Sequence, residues 1–559
     1  AMVFVGVAGA FFYVKLRSGD RYVGLGDAAM ARGDIKAATK FYSNAVGKEP
    51  NNVAWLTKWR DALTKKVPES FSEYQDDYKW YIAILRSLAS TKRTDTAAHR
   101  DFLNAILDQC ETYSRDRGSW QSLIDTCETA MGYYGNEKPA ELRAYRGIAI
   151  VAIADSGAEV KPDQLDMARQ DLEAALTANP RAAGAARSLA SLHAYNARLA
   201  RQEGNTERAK TESAAGAKVL ADAVTADPGS PIANVAKLLY EAAEAEASVD
   251  KTQEPTKVAA ARASIVSSLQ PKAADLTEKL KSADPALLTP DVVTRFMGLV
   301  IALDTKAGLD QSKAVIERAM STRPKDPDFM ALRSQVTVLK GDAEPAIAQY
   351  QEIIDLKTLP VSWQGIKLFD LQRRAMFAQT NLVLALASDA KTEDDRKPLM
   401  ERVAKYRQQL AANVAERSPE LLFIDAKTKL LQGDPRGAQR LFAGFVKAPG
   451  NLEDQTLEAT LLMARIGMQT NELGLALENI RKAAAARPDS VEILLTRGQL
   501  ELANNNRKEA LACYTQVLEM APDNAVAKEQ KQILEASSGK LDELKDLDAV
   551  MRRMIQADR

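Results

Sequence analysis

A pattern that recurs at intervals of 34 residues restricts the fold of this chain more than any other feature of its sequence. In residues 491–524, an apolar segment carries Gly498, a polar turn follows at Asn504–Asn506, and a second apolar segment carries Tyr514 before Pro522. Copies of this order of residue types lie at 19–52, 293–326 and 327–360, and three consecutive copies fill 419–524. Such self-similarity predicts stacked supersecondary units, because each unit buries its apolar face against the next one.

Each recurring residue type has a physical role in a pair of helices. The small residue of the first segment lets the second helix cross closely, and the aromatic or large aliphatic residue of the second segment fills the space between neighbouring repeats. A Gly–Asp turn, such as Gly33–Asp34, allows a tight reversal and supplies a cap for the next helix. A closing proline, such as Pro50, ends the second helix because the residue before it is displaced from helical conformation. The pattern therefore predicts two antiparallel helices in each copy.

On these residues the chain resembles the tetratricopeptide repeat family, whose units are two antiparallel helices in about 34 residues. The resemblance implies an all-α fold, a right-handed superhelical solenoid of antiparallel helix pairs. A repeat array suits the length of 559 residues, because a single compact core stops growing at about 250–300 residues. The composition, 46% hydrophobic with only 6% aromatic, predicts helices packed mainly through Ala, Leu and Val.

The repeats divide the chain into predicted segments. We expect an anchor at 1–17, a repeat at 19–52, an irregular helical segment at 53–138, degenerate helix pairs at 139–290, two repeats at 293–360, an irregular helix pair at 363–416, three repeats at 419–524, and a capping helix with a charged tail at 525–559. Polar linkers are expected at Val249–Thr256 and Ser388–Pro398, the latter with the acidic cluster Glu393–Asp395. An aromatic cluster lies at Phe71, Tyr74, Tyr78, Trp80 and Tyr81. The spacing of Phe71, Tyr74, Tyr78 and Tyr81 puts these four on one helical face, which we expect to be core rather than a binding surface.

The N-terminal segment Ala1–Val14 contains no charged residue, and Lys15 and Arg17 follow it directly. Fourteen helical residues span about 21 Å, whereas the hydrocarbon core of a bilayer is about 30 Å thick. Because the sequence begins with Ala rather than Met, we interpret residues 1–17 as the C-terminal part of a transmembrane helix. A signal-peptide remnant and a buried first helix are the alternatives. Short anchors followed by such repeats resemble bacterial envelope proteins, which implies a periplasmic solenoid, although basic residues directly after the span favour the cytoplasm.

Motifs for catalysis, metal binding and nucleotide binding are missing from the sequence. The two histidines, His99 and His193, lie far apart, and no Gly-x-x-x-x-Gly-Lys-Ser/Thr or Gly-x-Ser-x-Gly motif occurs. A Gly-x-Gly-x-x-Ala string at Gly24, Gly26 and Ala29 coincides with the small positions of the first repeat and follows no predicted strand. The net charge of zero gives no basic excess for nucleic acid. We therefore expect no catalysis, cofactor, metal or nucleic-acid site.

The resemblance implies that the first helices of successive repeats line a concave groove that accepts a peptide or a partner helix. In 419–524 the matching positions are Phe423, Lys427, Leu430, Leu461, Arg465, Met468, Leu495, Gln499 and Leu502. Lys427 and Arg465 would attract a ligand carboxylate. The constellation of the carboxylate-clamp subfamily is not matched, since Phe423 and Glu492 occupy positions where its contacts are expected. About half of these side chains are expected to pack against the next helix instead.

These observations lead to one hypothesis and two rivals. We expect a non-catalytic, single-pass membrane-anchored scaffold that binds other proteins and organises a multiprotein envelope assembly. The first rival is a self-assembling subunit of a ring or filament, since a neutral homo-oligomer is compatible with the composition. The second rival is an enzyme with an unfamiliar site. The identity of the partners does not follow from the sequence.

Overall fold

The structure is a computed structural model that describes residues 19–69, 71–112, 117–249, 255–356, 365–448, 453–470, 472–487 and 490–536. Within these ranges the regular structure is helical and no strand occurs. The all-α prediction is therefore confirmed for the described part of the chain. The predicted anchor and the charged tail from residue 537 onward lie outside the described residues. Among the helices that are described, none is long and apolar enough to cross a bilayer.

The helices of the N-terminal half follow one another with short connections. They are α1 (Gly19–Ala31), α2 (Ile35–Val46), α3 (Val53–Leu63), α4 (Phe71–Thr91), α5 (Thr96–Thr112), α6 (Arg117–Gly132), α7 (Ala140–Asp155), α8 (Pro162–Ala178), α9 (Ala183–Gln202), α10 (Thr206–Ala226), α11 (Pro231–Ala247) and α12 (Pro255–Ser282).

The remaining helices continue the same pattern. A short 3-10 turn at Pro285–Leu287 precedes α13 (Pro290–Leu303), α14 (Thr305–Met320), α15 (Pro327–Leu339), α16 (Ala343–Ile354), α17 (Gly365–Asp389), α18 (Glu393–Ala411), α19 (Pro419–Leu431), α20 (Pro435–Lys447), α21 (Glu453–Thr470), α22 (Leu473–Ala486), α23 (Val491–Ala503) and α24 (Arg507–Met520). A further helix occupies 525–536.

The two helices of each repeat meet where a small residue faces a large one. A Cβ atom added to Gly26 on α1 would lie 2.5 Å from the Tyr42 ring on α2, and one added to Gly498 would lie 3.0 Å from the ring of Tyr514. Both contacts join residues sixteen positions apart in the sequence. The pair Ala426 and Phe442 has the same spacing, and both side chains are fully buried. The close crossing at the small residue is as predicted, but the aromatic residue packs within its own helix pair, whereas the sequence analysis placed it between neighbouring repeats.

The turns inside the pairs use left-handed backbone followed by a helix cap. Gly33 and Gly433 have φ values of 75° and 78°, a region that residues with a Cβ rarely adopt. The next residue caps the second helix: the Asp34 carboxylate accepts the Ala37 N–H at 3.0 Å, and Asp434 accepts that of Gly437 at 2.8 Å. In the last repeat Asn505 takes the left-handed position, with φ of 62°.

The described helices fall into two compact units, and each unit has its own buried clusters. Unit 1 takes the residues up to Ser248, Ile265–Asp342 and Glu352–Gln372, and unit 2 takes Val249–Ser264, Ala343–Gln351 and the residues from Arg373 onward. Aliphatic side chains dominate the clusters of unit 1, whereas a phenylalanine group lies at the centre of the largest cluster in unit 2.

The predicted linker at Ser388–Pro398 is wrong in extent. Helix α17 runs to Asp389 and α18 starts at Glu393, so Pro398 lies inside α18. The acidic residues Glu393–Asp395 form the first turn of α18, where Thr392 accepts the Asp395 N–H at 3.1 Å. Carboxylates in a first turn are stabilised by the unpaired N–H groups of the helix end, which explains why an acidic cluster begins this helix.

Two glycines of α1 allow a matched test of the closing contact. Gly26→Ala should reduce the free energy of unfolding of the first pair by about 1–3 kcal/mol, because its Cβ would overlap the Tyr42 ring. A Cβ atom added to Gly24 would meet no other atom within 4 Å. Gly24→Ala should therefore stabilise α1 by about 0.5–1 kcal/mol, because Ala has the higher helix propensity. Hydrogen exchange of α1–α2 peptides measures both; equal protection in the two variants would contradict the proposed role of the contact.

Candidate partner-binding surfaces

The first helices of successive pairs pack side by side. In unit 1, α7 contacts α9, α9 contacts α11, and α11 contacts α13, while each also packs on the second helix of its own pair or on the next pair. In unit 2, α21 contacts α23 in the same way. We call the surface built by these helices the first-helix side. It is the surface on which the sequence analysis placed the partner groove.

The predicted groove residues of 419–524 differ widely in exposure. Arg465 and Gln499 are exposed; Lys427, Leu430, Met468, Leu495 and Leu502 are half-buried; Phe423 and Leu461 are buried. Seven of the nine therefore reach the surface of α19, α21 or α23 to some degree. Partner binding by these seven stays a prediction.

Phe423 and Leu461 are core residues, so their assignment to the groove is corrected. The Phe423 ring is fully buried, and its centroid lies 5.2 Å from that of Phe445 and 5.8 Å from that of Phe442. Leu461 belongs to the cluster that contains Ile480. Both point toward second helices because burying an aromatic or aliphatic side chain is favourable by about 1.5–3 kcal/mol.

Lys427 already has its polar partners within the protein. Its Nζ donates to Asn381 Oδ1 at 2.7 Å and to Glu458 Oε1 at 2.8 Å, and it lies 5.5 Å from the centroid of the Phe423 ring. The side chain is only 15% exposed. Lys427 thus joins α17, α19 and α21 and is not available as a free cation for a ligand carboxylate.

Arg465 pairs with the next repeat but remains accessible. Its Nη2 lies 3.2 Å from Glu492 Oε1, and more than half of each side chain is exposed. An exposed pair of this kind contributes about 0–1 kcal/mol, so a ligand could exchange for Glu492 at little cost. Glu492, noted in the sequence as a departure from the carboxylate clamp, is therefore the partner of the predicted groove cation.

A buried carboxylate in the last repeat was missed by the sequence analysis. Glu501 on α23 is fully buried and accepts from Arg481 at 2.8 Å and from Asn506 at 2.8 Å. Burial alone would raise the pKa of Glu501, but hydrogen bonds from Asn506 and Arg481 outweigh it, so the pKa lies below its ordinary value of 4.5. The ion pair stabilises the contact between α22 and α23 rather than a ligand.

A cavity of about 400 Å³ opens on the first-helix side of unit 1. Its lining comes from α6, α7, α9 and α13: Trp120, Ile148, Val151, Ala152, Asp155, Ser156, Arg187, Ser188, Ser191, Asp291 and Arg295. Arg187 on α9 donates to Asp291 on α13 at 2.8 Å, although 104 residues separate them. We call this the Asp155 cavity. It combines an apolar wall with charges of both signs.

Asp155 is the exposed carboxylate of this cavity. No group in the described residues donates a hydrogen bond to it. Confinement by the cavity walls raises the pKa of Asp155 above its ordinary 3.8, while Arg198 and Arg295 act in the opposite direction. The net rise means that these two cations compensate the charge incompletely.

The histidines and cysteines, which often act in catalysis, have structural roles in the described residues. A ring nitrogen of His99 lies 2.9 Å from the Arg93 carbonyl, and His193 Nδ1 lies 2.7 Å from Glu212. The three cysteines are buried and form no disulfide with one another, and burial raises the pKa of the Cys127 thiol. No group of metal-ligating side chains occurs in the part of the chain that the structure describes.

Residues 491–524 match the family model described as tetratricopeptide repeat. This segment is thus identified as a tetratricopeptide repeat. The matched segment is the hairpin of α23 and α24, closed by Gly498 and Tyr514. No curated protein matches the chain.

Several solved structures are similar over most of this chain. The crystal structure of the APC/C hetero-tetramer Cut9-Hcn1 is 11% identical, covers 94% of this chain and 98% of that one, and has a TM-score of 0.34. The crystal structure of yeast Tom70 is 11% identical, covers 98% of this chain and 94% of that one, and has a TM-score of 0.34. The crystal structure of the P58(IPK) TPR domain is 11% identical, covers 93% of this chain and 98% of that one, and has a TM-score of 0.25. These TM-scores are too low to transfer any site.

The two predicted groove cations should respond differently to charge reversal. Lys427→Glu should lower the free energy of unfolding by about 1.5–3 kcal/mol, because two hydrogen bonds are lost and Glu458 is left facing a like charge. Arg465→Glu should change it by no more than about 1 kcal/mol, because that pair is exposed. Chemical denaturation followed by circular dichroism measures both. Equal effects of the two substitutions would contradict the assignment.

Proposed function

We propose that this protein is a non-catalytic, membrane-anchored scaffold that holds other proteins on its first-helix side. The observation that carries the proposal is the Asp155 cavity, where the first helices of successive pairs present an unpaired carboxylate beside arginines and an apolar wall. Tetratricopeptide repeats supply rigid helical surfaces of this kind, which suit recognition of a partner segment.

The cavity suits a partner segment of mixed polarity. Trp120, Ile148 and Val151 provide apolar contact, and Asp155 and Arg295 provide charges that a partner can reach. A cationic side chain of the partner would pair with Asp155. An acidic one would have to replace Asp291, whose Oδ1 lies 3.0 Å from Arg295 Nε in an exposed ion pair. Complementary charges of this kind set specificity and orientation more than affinity.

Membrane anchoring is the second part of the proposal. The segment Ala1–Val14 supports it, because this segment is uncharged and is followed directly by Lys15 and Arg17. Attached in this way, the repeats would lie next to a membrane and organise an assembly there. We place that assembly in a bacterial envelope, with the repeats in the periplasm.

Charge reversal tests the scaffold. The double variant Asp155→Lys with Arg295→Glu should lose at least about tenfold in recovery of partners that the full chain retains in mild detergent, because both contacts become repulsive. Asp166→Lys with Arg181→Glu is the matched control, since both residues are exposed and line no part of the cavity. Quantitative cross-linking mass spectrometry measures the recovery. Full retention by the first variant would rule out the cavity as the binding surface.

Deletion of residues 1–17 tests the anchor separately. The shortened chain should move from the membrane to the soluble fraction with its helical circular dichroism unchanged, because repeat stability is a sum of local and neighbouring interactions. Fractionation in parallel with the full chain, after an alkaline wash, provides the comparison. A shortened chain that stays in the membrane fraction would show that the attachment lies elsewhere.

A further inference from the structure

The wall of the Asp155 cavity contains a buried serine whose hydroxyl has no partner among the described residues. Ser188 on α9 is only 6% exposed, and it lines the cavity. Its Oγ atom makes no hydrogen bond with a described residue, yet it is not sealed from solvent. Because buried polar side chains are almost always hydrogen-bonded, this hydroxyl is available to a group that enters the cavity.

Buried serines in two other helices of unit 1 use their hydroxyls within the helix. Ser312 and Ser334 are fully buried, and each donates to the carbonyl oxygen four residues earlier, at 2.6 Å and 2.9 Å. The same bond is open to Ser188, because Gly184 lies four residues earlier in α9. Ser188 does not form it. Its hydroxyl thus faces the cavity instead of a carbonyl of its own helix.

A second serine lies one turn further along α9. Ser191 is half-buried and lines the same cavity, and its hydroxyl also has no hydrogen-bond partner within the described ranges. Residues three apart on a helix share a face, with Cβ atoms about 5–6 Å apart. A carboxamide can bridge two hydroxyls at such a distance, because its oxygen accepts from one while its N–H donates to the other. We call Ser188 and Ser191 the serine pair.

The charges that line the cavity are balanced. Arg187 and Arg295 are its two cations, and Asp155 and Asp291 are its two anions. Asp291 accepts from Arg187 at 2.8 Å and from Arg295 at 3.0 Å. An ionised group on the serine pair would therefore find no counter-charge of its own there, whereas an uncharged polar group needs none.

The shape of the cavity favours a side chain over a length of main chain. Its volume of about 400 Å³ is bounded by four helices, and Ile148 and Val151 line it together with the serine pair. Pockets of this kind combine apolar walls with a few polar groups that fix the orientation of the ligand. A side chain with an apolar stem and an amide at its tip matches both parts of this lining.

We propose that the serine pair binds the carboxamide of a glutamine or asparagine side chain of the partner. The amide oxygen accepts the hydroxyl of one serine, the amide N–H donates to the other, and the stem packs on Ile148 and Val151. This inference rests on the proposed function, because it requires a partner segment in the Asp155 cavity. It adds a residue preference that the charges of the cavity do not supply.

A displayed library of random peptides tests this on the full chain in detergent. Peptides are selected on the unmodified protein and counter-selected on the double variant Ser188→Ala with Ser191→Ala, which removes both hydroxyls. Ser312→Ala with Ser334→Ala is the matched control, because it removes two buried helical hydroxyls that lie outside the cavity. A separate counter-selection on Asp155→Lys with Arg295→Glu reports whether the peptides occupy the cavity.

Peptides lost on the serine variant should share one position occupied by glutamine or asparagine. Their affinity, measured by fluorescence anisotropy, should fall about two- to tenfold for each serine removed and stay unchanged in the control. Replacing that peptide residue by Glu or Met should weaken binding to the unmodified protein by at least about tenfold. This loss should be smaller on the serine variant, because the two changes remove the same hydrogen bonds.

The outcomes separate this inference from the proposed function. If the peptides depend on Asp155 and Arg295 but not on the serine pair, the inference is overturned and the proposed function stands. A shared residue other than glutamine or asparagine, such as lysine or tyrosine, also overturns it. If no peptide is recovered, or none depends on Asp155 and Arg295, the cavity is not the binding surface and both proposals fail.

Discussion

The close contact between a small residue on the first helix and a large one on the second is the constraint on which the repeats depend. Gly26 against Tyr42 and Gly498 against Tyr514 leave no room for a side chain between the two helices. Because the helices of a pair touch there, the next pair can pack on them and the first helices come side by side. The first-helix side depends on this contact wherever it recurs.

Charge on the first-helix side is mostly consumed within the protein. Lys427 with Glu458 and Arg187 with Asp291 link first helices of different pairs. Such pairs contribute modestly to stability, but they fix the relative position of the helices and leave few charges for a partner. A group that remains unpaired, such as Asp155, is therefore a better guide to binding than a cation that merely lies on the expected helix face.

The groove lined by Trp59 and Trp80 is formed differently from the first-helix side. It lies where α4 crosses α2 and α3, in the segment that departs from the repeat period. The helix α4 has 21 residues, whereas α2 has 12, and it carries Trp80 beside the short helices of the first repeat. An irregular helix thus creates a surface that a strictly periodic array would not contain.

The sequence by itself determined the helical class, the 34-residue period and the Gly–Asp turns, because each depends on contacts between residues that are near in the chain. It also located the small residue Gly498 and the large residue Tyr514, but their contact within one helix pair came from the structure. Only the tertiary structure decided that Phe423 is core, that Lys427 already has partners, and that Arg187 meets Asp291 across 104 residues. Those outcomes depend on how successive pairs are rotated against each other, which is set by packing between distant residues and is not encoded in a local pattern.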